Sequence, residues 1–243
     1  MKKFLTILLF CLCVGQYAFA DYNPPWKTFT SDGTIEDGQE WWGVGIYDTA
    51  PNHTTVDMTG GVIFDAGIAV HNAATFNFSG GSPGGIGAYD QSTVNITGGS
   101  VPTVGAGNNA VVNISNDASV FNVGAGGFGI FNIYGGSIGQ LIANENSIVN
   151  LMGGTVTTYI GAELSATINV FGHDLAKTNT GGTYGYGQVT GYWQDNSPFT
   201  INLAGSGAYS VTNLIPEPAT FLLLGMGAFL LRKSKRRIKK RSI

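Results

Sequence analysis

Cysteine is nearly missing from this chain: among 243 residues only Cys11 and Cys13 carry a thiol, and both fall close to the N-terminus. Whatever follows them has no disulfide framework, no thiolate nucleophile and no cysteine zinc site. Arginine is missing entirely between residues 21 and 215, where Lys27 and Lys177 are the only cations against 14 acids, a net charge of −12. Nucleic-acid binding needs clustered Lys or Arg against phosphate, so that class is excluded. An acidic surface suits solubility, divalent cations, and neutral or cationic partners instead. No sustained helical spacing occurs between residues 55 and 172, which argues against helical solenoids. No nucleophile-elbow motif supports Ser-His-Asp chemistry.

What is present is a repeat. A β-branched or aromatic residue, then Asn or Asp, then an apolar residue recurs with central positions 57, 77, 95, 113, 132, 150 and 169. Most copies run into Gly-Gly, and half a period later comes Ile86-Gly-Ala, Val104-Gly-Ala, Val123-Gly-Ala or Ile160-Gly-Ala, with Leu141-Ile-Ala as a variant. Short apolar/polar alternation reads as strand, and paired glycines supply the positive φ of tight corners. Propeller blades need about 40 residues each, twice this period. The repeat therefore predicts an all-β, single-domain parallel β-helix of about seven coils of about 18–20 residues over 55–172. An N-terminal cap is expected at 21–54 and a C-terminal cap at 173–215, the latter closing on a pair of strands. Val94 and Ile96 should point inward and Asn95 outward. Asn77, Asn95, Asn113, Asn132, Asn150 and Asn169 then form one row, read as an axial hydrogen-bond ladder or as a strip for sugars.

Candidate sites are few. Asp90, Asn108, Glu145 and Glu163 all follow their coil's Asn anchor at one constant offset, with Gly126 interrupting the row. Glu145 and Glu163 are the cation candidates; exposed turn filling is the alternative. His53, His71 and His173 fall in different coils, which favours solvated or capping roles over a metal site. A glycoside hydrolase needs two carboxylates about 5 to 9.5 Å apart around a sugar. A lyase needs a strong base and a cation for the uronate, and with two remote lysines neither is evident. The sequence thus predicts no catalytic residues, no cofactor and no metal. Trp41, Trp42, Tyr184, Tyr186, Tyr192 and Trp193 read as lids over the coil ends or as platforms for sugar rings.

Both ends carry signals. Lys2 and Lys3, the apolar run Phe4–Val14, and Ala18-Phe19-Ala20 predict a signal peptide over 1–20 that signal peptidase removes. At the other end stand Pro216-Glu217-Pro218, an uncharged run from Ala219 to Leu231, and eight cations that begin with Arg232, Lys233, Lys235, Arg236 and Arg237. Proline favours extended, accessible backbone. The run is short against the roughly 20 residues of a stable spanning helix, and the cations favour a cytoplasmic end. This order of motif, short membrane segment and basic stop over 216–243 resembles the PEP-CTERM sorting signal of Gram-negative bacteria. The resemblance implies processing at Pro216, Glu217 and Pro218 by an exosortase, transient anchoring in the inner membrane by a C-terminal membrane helix, and final residence at the cell surface or outside it. It also implies association with biofilm or exopolysaccharide. The expected function is a structural or adhesive matrix protein, with a carbohydrate-binding protein, or a polysaccharide lyase or hydrolase, as the alternatives.

Overall fold

The computed structural model describes residues 24–49, 53–163, 165–180 and 183–216. The expected signal peptide with Ala18 and Ala20 lies outside the described residues, as does the tail from Glu217 onward, including the expected membrane helix at 219–231 and the basic stop at Arg232, Lys233, Arg236 and Arg237. Among the described residues, no helix is long and apolar enough to cross a membrane.

The repeat winds into a β-solenoid of about seven turns, as its period predicts. Each coil gives one strand to each of two parallel sheets. The asparagine sheet stacks β2 (Gly33–Ile35), β4 (Thr55–Met58), β6 (Thr75–Phe78), β9 (Thr93–Ile96), β11 (Val111–Ile114), β13 (Ile130–Ile133), β15 (Ile148–Leu151), β17 (Thr167–Thr178) and β20 (Thr212–Pro216). The Gly-Ala sheet stacks β1 (Trp26–Phe29), β3 (Glu40–Tyr47), β5 (Val62–His71), the pair β7 (Ser82–Pro83) and β8 (Ile86–Ala88), β10 (Ser100–Ala106), β12 (Ser119–Ala125), β14 (Ser137–Ala143) and β16 (Thr155–Ala162). Register therefore begins at β1, so the segment expected as an N-terminal cap already contributes strands to both sheets.

Alternation does the packing. In β9, Val94 and Ile96 are buried while Thr93 and Asn95 stay partly exposed, and β11, β13 and β15 repeat the pattern. Their inner residues join those of the Gly-Ala strands, such as Val104, Val123 and Leu141, in one continuous core. At roughly 25 cal/mol per Å² of buried apolar surface, this core is the main driving force for stacking. The residue just before each asparagine strand is small and buried: Thr54, Ala74, Ser92, Ala110, Gly129, Ser147 and Ala166. A sharp inside corner leaves room for little more. At Gly129 even a Cβ would come 2.6 Å from the Ala106 carbonyl oxygen.

The outward asparagines form the expected ladder. Asn95 Nδ2 donates to Asn77 Oδ1 at 2.8 Å, Asn113 to Asn95 at 2.8 Å, Asn132 to Asn113 at 3.0 Å, Asn150 to Asn132 at 2.9 Å and Asn169 to Asn150 at 2.9 Å. Asp57 begins the row by accepting from Asn77 at 2.7 Å. A carboxylate has no N–H to pass backward, so the chain of donors stops there. At the other end Asn213 donates to Asn169 at 3.2 Å, adding a rung that lies 44 residues on in sequence.

Between those last two rungs the chain leaves the solenoid. The outer part of β17 pairs antiparallel with β18 (Gln188–Tyr192), β18 pairs antiparallel with β19 (Pro198–Ala204), and the end of β19 rejoins the Gly-Ala sheet at Ile160↔Leu203 and Gly161↔Ala204. A short helix, α1 (Gly205–Val211), then leads into β20, where Pro216 lies opposite Gly172. Lys177 Nζ ties the arm to this return by donating to the carbonyls of Tyr209 at 2.9 Å and Thr212 at 2.7 Å. Both acceptors sit at the C-terminal end of α1, where carbonyls lack helical partners and a cation is favoured. Partial burial lowers the Lys177 pKa.

Candidate functional site

The corner that carries the acidic row is set by backbone. Asn72, Asp90, Asn108, Gly127 and Glu145 have φ between 52° and 61°, the left-handed region that Asn, Asp and Gly enter most easily. A constant offset from each anchor mislocates two members. In the fourth coil the turn Ser115–Ala118, with Asn116 at φ 54°, replaces a Gly-Gly corner and adds one residue, so Gly127 rather than Gly126 occupies the rung. In the sixth coil β16 carries one extra residue between Val156 and Tyr159, opposite Ile138 and Gln140 of β14, and Ala162 pairs with Ala143. Glu163 therefore matches Asn144, not Glu145.

The carboxylates there are engaged with backbone along the axis. Asp90 Oδ2 accepts from the Asn72 N–H at 3.1 Å and its Oδ1 from Asn108 Nδ2 at 3.2 Å. The Asn72 bond is the largest cause holding the Asp90 carboxyl below its usual pKa, with burial opposing and Asn108 and His71 assisting. Glu145 accepts from the Gly127 N–H at 2.5 Å, and Glu163 from the Glu145 N–H at 3.3 Å. Each cation candidate thus staples its coil to the one before. Among the described residues, no group of three or more His, Cys, Asp or Glu side chains is arranged to hold a metal.

The histidines lie apart. His53 hydrogen-bonds Thr75 Oγ1 at 2.9 Å, and His173 stacks on Tyr192 with ring centroids 5.4 Å apart. His71 is sandwiched between Tyr47 at 4.8 Å and Tyr89 at 5.0 Å, with Asp90 Oδ2 3.7 Å from its Nδ1. Successive coils place these three rings at one corner, an aromatic counterpart of the asparagine ladder. Residue-by-residue reading missed it, although Tyr47, His71 and Tyr89 each follow the inner residue of their coil at the same step.

The aromatics singled out in sequence separate into packed and open ones. Trp41 packs against the core, near the Lys27 ammonium at 5.5 Å from its ring, while Trp42 is exposed. Tyr184 meets Tyr159 edge-on at 4.8 Å. Trp193 is only 6% exposed: it stacks on Phe199 at 3.9 Å, and its Nε1 donates to the Gly154 carbonyl at 3.0 Å. It is a lid, not a platform.

That lid roofs one side of a cleft of about 690 Å³. β19 pairs with β16 at two positions only, and the cleft opens where this pairing stops, between Thr155–Val156 and Thr200–Ile201. A fork between strands leaves backbone groups without ladder partners. Here Trp193 Nε1 takes the Gly154 carbonyl and Asn202 Nδ2 takes the Thr158 carbonyl at 3.2 Å. The far wall is the corner column of the fifth and sixth coils. The residue after each asparagine strand is Thr59, Ser79, Thr97 and Ser115 in the earlier coils, then Tyr134 and Met152 where the cleft begins. Tyr134 is 54% exposed. Above it the turn Trp193–Ser197 is fixed by Asp195, whose Oδ1 accepts from the Ser197 N–H at 2.8 Å and its hydroxyl at 2.5 Å. Those two bonds, the hydroxyl's first, hold the Asp195 carboxyl below its ordinary pKa. Comparison of the chain with protein-family models, curated proteins and solved structures gives no match in any of the three.

Proposed function

We propose that this chain is an exported structural or adhesive protein of the bacterial cell surface or extracellular matrix, delivered by a signal peptide and sorted by an exosortase at Pro216-Glu217-Pro218. The observation that carries the reading is the end of the fold. β20 closes the asparagine ladder through Asn213 and holds Pro216 in register with Gly172, so the packed body reaches the first residue of the Pro-Glu-Pro motif. Proline donates no backbone hydrogen bond and suits the edge of a sheet, where a processing enzyme can reach it. The charge division supports the same reading, since ten of the 12 cations lie in the two segments that processing would remove.

On this reading the apolar segment 219–231 is a transient inner-membrane anchor and Arg232, Lys233, Arg236 and Arg237 are its cytoplasmic stop. The partners are signal peptidase, the exosortase and the membrane, and the exported unit works without catalysis, metal or cofactor. A ladder of satisfied amides and a continuous core suit a rigid spacer or matrix element, because each coil is supported by its neighbours. The test replaces Pro216, Glu217 and Pro218 with alanine in a Gram-negative host that carries an exosortase. A longer species should accumulate in the inner membrane; an unchanged mature mass with unchanged release would refute the sorting assignment.

A further inference from the structure

The cleft beneath the C-terminal hairpin has a lining that a spacer does not need. Along one corner of the solenoid, the residue after each asparagine strand is a small hydroxyl for four coils, and in two of them that hydroxyl leans on the preceding coil's backbone, Ser79 on the Met58 carbonyl at 3.4 Å and Thr97 on the Phe78 carbonyl at 3.3 Å. In the two coils that face the hairpin the same position becomes Tyr134 and Met152. A tyrosine ring 54% exposed on an otherwise hydrophilic corner is an apolar surface left open to water. Opposite it stand Gln194, Asp195 and Thr200, all exposed. Ser197 engages one oxygen of Asp195, which leaves the carboxylate free to accept further hydrogen bonds.

We propose that this cleft binds an uncharged saccharide chain, with the Tyr134 ring and Met152 under the apolar face of a sugar and Gln194, Asp195 and Thr200 taking its hydroxyls. A flat aromatic surface beside polar donors and acceptors matches a molecule that is apolar on its ring faces and polar around its rim. Uronates and sulfated sugars are disfavoured, because the described cleft lining contains no cation, Asp195 is anionic, and the exported unit as a whole carries −12. Addition of a peptide strand is disfavoured as well. The carbonyls of Gly154 and Thr158 at the fork are already taken by Trp193 and Asn202, whereas strand addition depends on free main-chain partners. The proposal does not depend on how the tail is processed.

Affinity gel electrophoresis of the full chain in mild detergent tests it, with dextran, barley β-glucan and galactomannan as neutral probes, polygalacturonate as the anionic probe, and the Pro216–Pro218 alanine variant run alongside. At least one neutral polysaccharide should retard the chain and polygalacturonate should not. Tyr134→Ala should weaken that retardation about tenfold and Tyr134→Phe should keep most of it, since the ring and not its hydroxyl makes the contact. Asp195→Asn should leave the Ser197 bonds an acceptor and lessen the discrimination against polygalacturonate. Because Tyr134 is exposed, an unchanged circular dichroism melt is expected for its variants. Retardation by no neutral probe, or retardation that Tyr134→Ala leaves intact, overturns the proposal. The alanine variant at 216–218 should bind sugar like the unaltered chain, so failure of sorting and failure of binding are read separately.

Discussion

The middle of the solenoid and its C-terminal end use the same two sheets and the same asparagine row, yet they are held together differently. From β9 to β15 every coil meets a near copy of itself, and two kinds of contact, amide on amide and apolar on apolar, are enough. After Asn169 the chain departs for 44 residues and then re-enters the row at Asn213. The excursion has no copy to lean on. It is held by contacts that occur once each: Trp193 on the Gly154 carbonyl, Asn202 on the Thr158 carbonyl, and Lys177 on the carbonyls at the end of α1. Repetition spreads stability along the axis, whereas the closing segment concentrates it in a few side chains. The cleft sits where these two ways of building meet.

The largest effect should come from breaking the closing segment. Trp193→Ala removes a nearly buried indole from its stack on Phe199 and orphans the Gly154 carbonyl. Loss of a buried Trp or Phe costs about 3–5 kcal/mol. Hydrogen exchange should show protection lost over 188–216 while β9 to β15 stay protected, since coils several steps away feel an end only through their neighbours. A uniform loss along the whole axis would erase the distinction between middle and end.

A smaller effect separates the two within the ladder. Asn113 both donates to Asn95 and accepts from Asn132, while Asn213 is bonded within the row to Asn169 alone. Asn113→Ala should cost about 1–2 kcal/mol and Asn213→Ala about half that, at roughly 0.5–1.5 kcal/mol per net hydrogen bond. Asn113→Asp is the sharper probe. It keeps the bond from Asn132 but sets a carboxylate against the Asn95 oxygen, the arrangement that Asp57 avoids by standing first in the row. That contact raises the folded-state pKa of the introduced carboxyl, so the variant should gain stability as pH falls through the raised value and lose it as pH rises. Urea melts between pH 4 and 7 read the slope; a flat profile would mean that the row is not a polar chain of donors.

Much of this was legible from residues. The period, the inward Val and Ile, the outward Asn row and the Gly-Gly corners follow from strand alternation and the need for positive φ. What escaped was anything that depends on register across an irregularity. The turn at Asn116 and the bulge between Val156 and Tyr159 each add a residue, so counting from the anchors places Gly126 and Glu163 one step out. Asn213 falls outside the repeat's period because 44 residues separate it from Asn169. Tyr134 carries no signal in sequence, since it sits beside Asn132 in an ordinary copy of the repeat, and only the fold of the hairpin gives its ring a cavity. By sequence Trp193 suits either a lid or a sugar platform, and its burial favours the lid.

The smallest effect asks how strict equivalence is within the repeated body. Ser92 and Ser147 occupy the same buried corner in different coils. The Ser92 hydroxyl accepts from the Tyr89 N–H at 3.0 Å, whereas Ser147 Oγ has no partner. A buried hydroxyl without a hydrogen bond costs free energy to desolvate and returns none, and Ala110 and Ala166 show that alanine fits this corner. Ser147→Ala should therefore be neutral or stabilise by roughly a few tenths of a kcal/mol, and Ser92→Ala should cost about 0.5 kcal/mol, because it removes an acceptor that the Tyr89 N–H shares with the Val70 carbonyl at 2.9 Å. Thermal melts of the two variants give the ordering directly. Equal effects would mean that position in the coil outweighs the local turn; the opposite order would mean that Ser147 has a bridging water that the protein–protein contacts do not reveal.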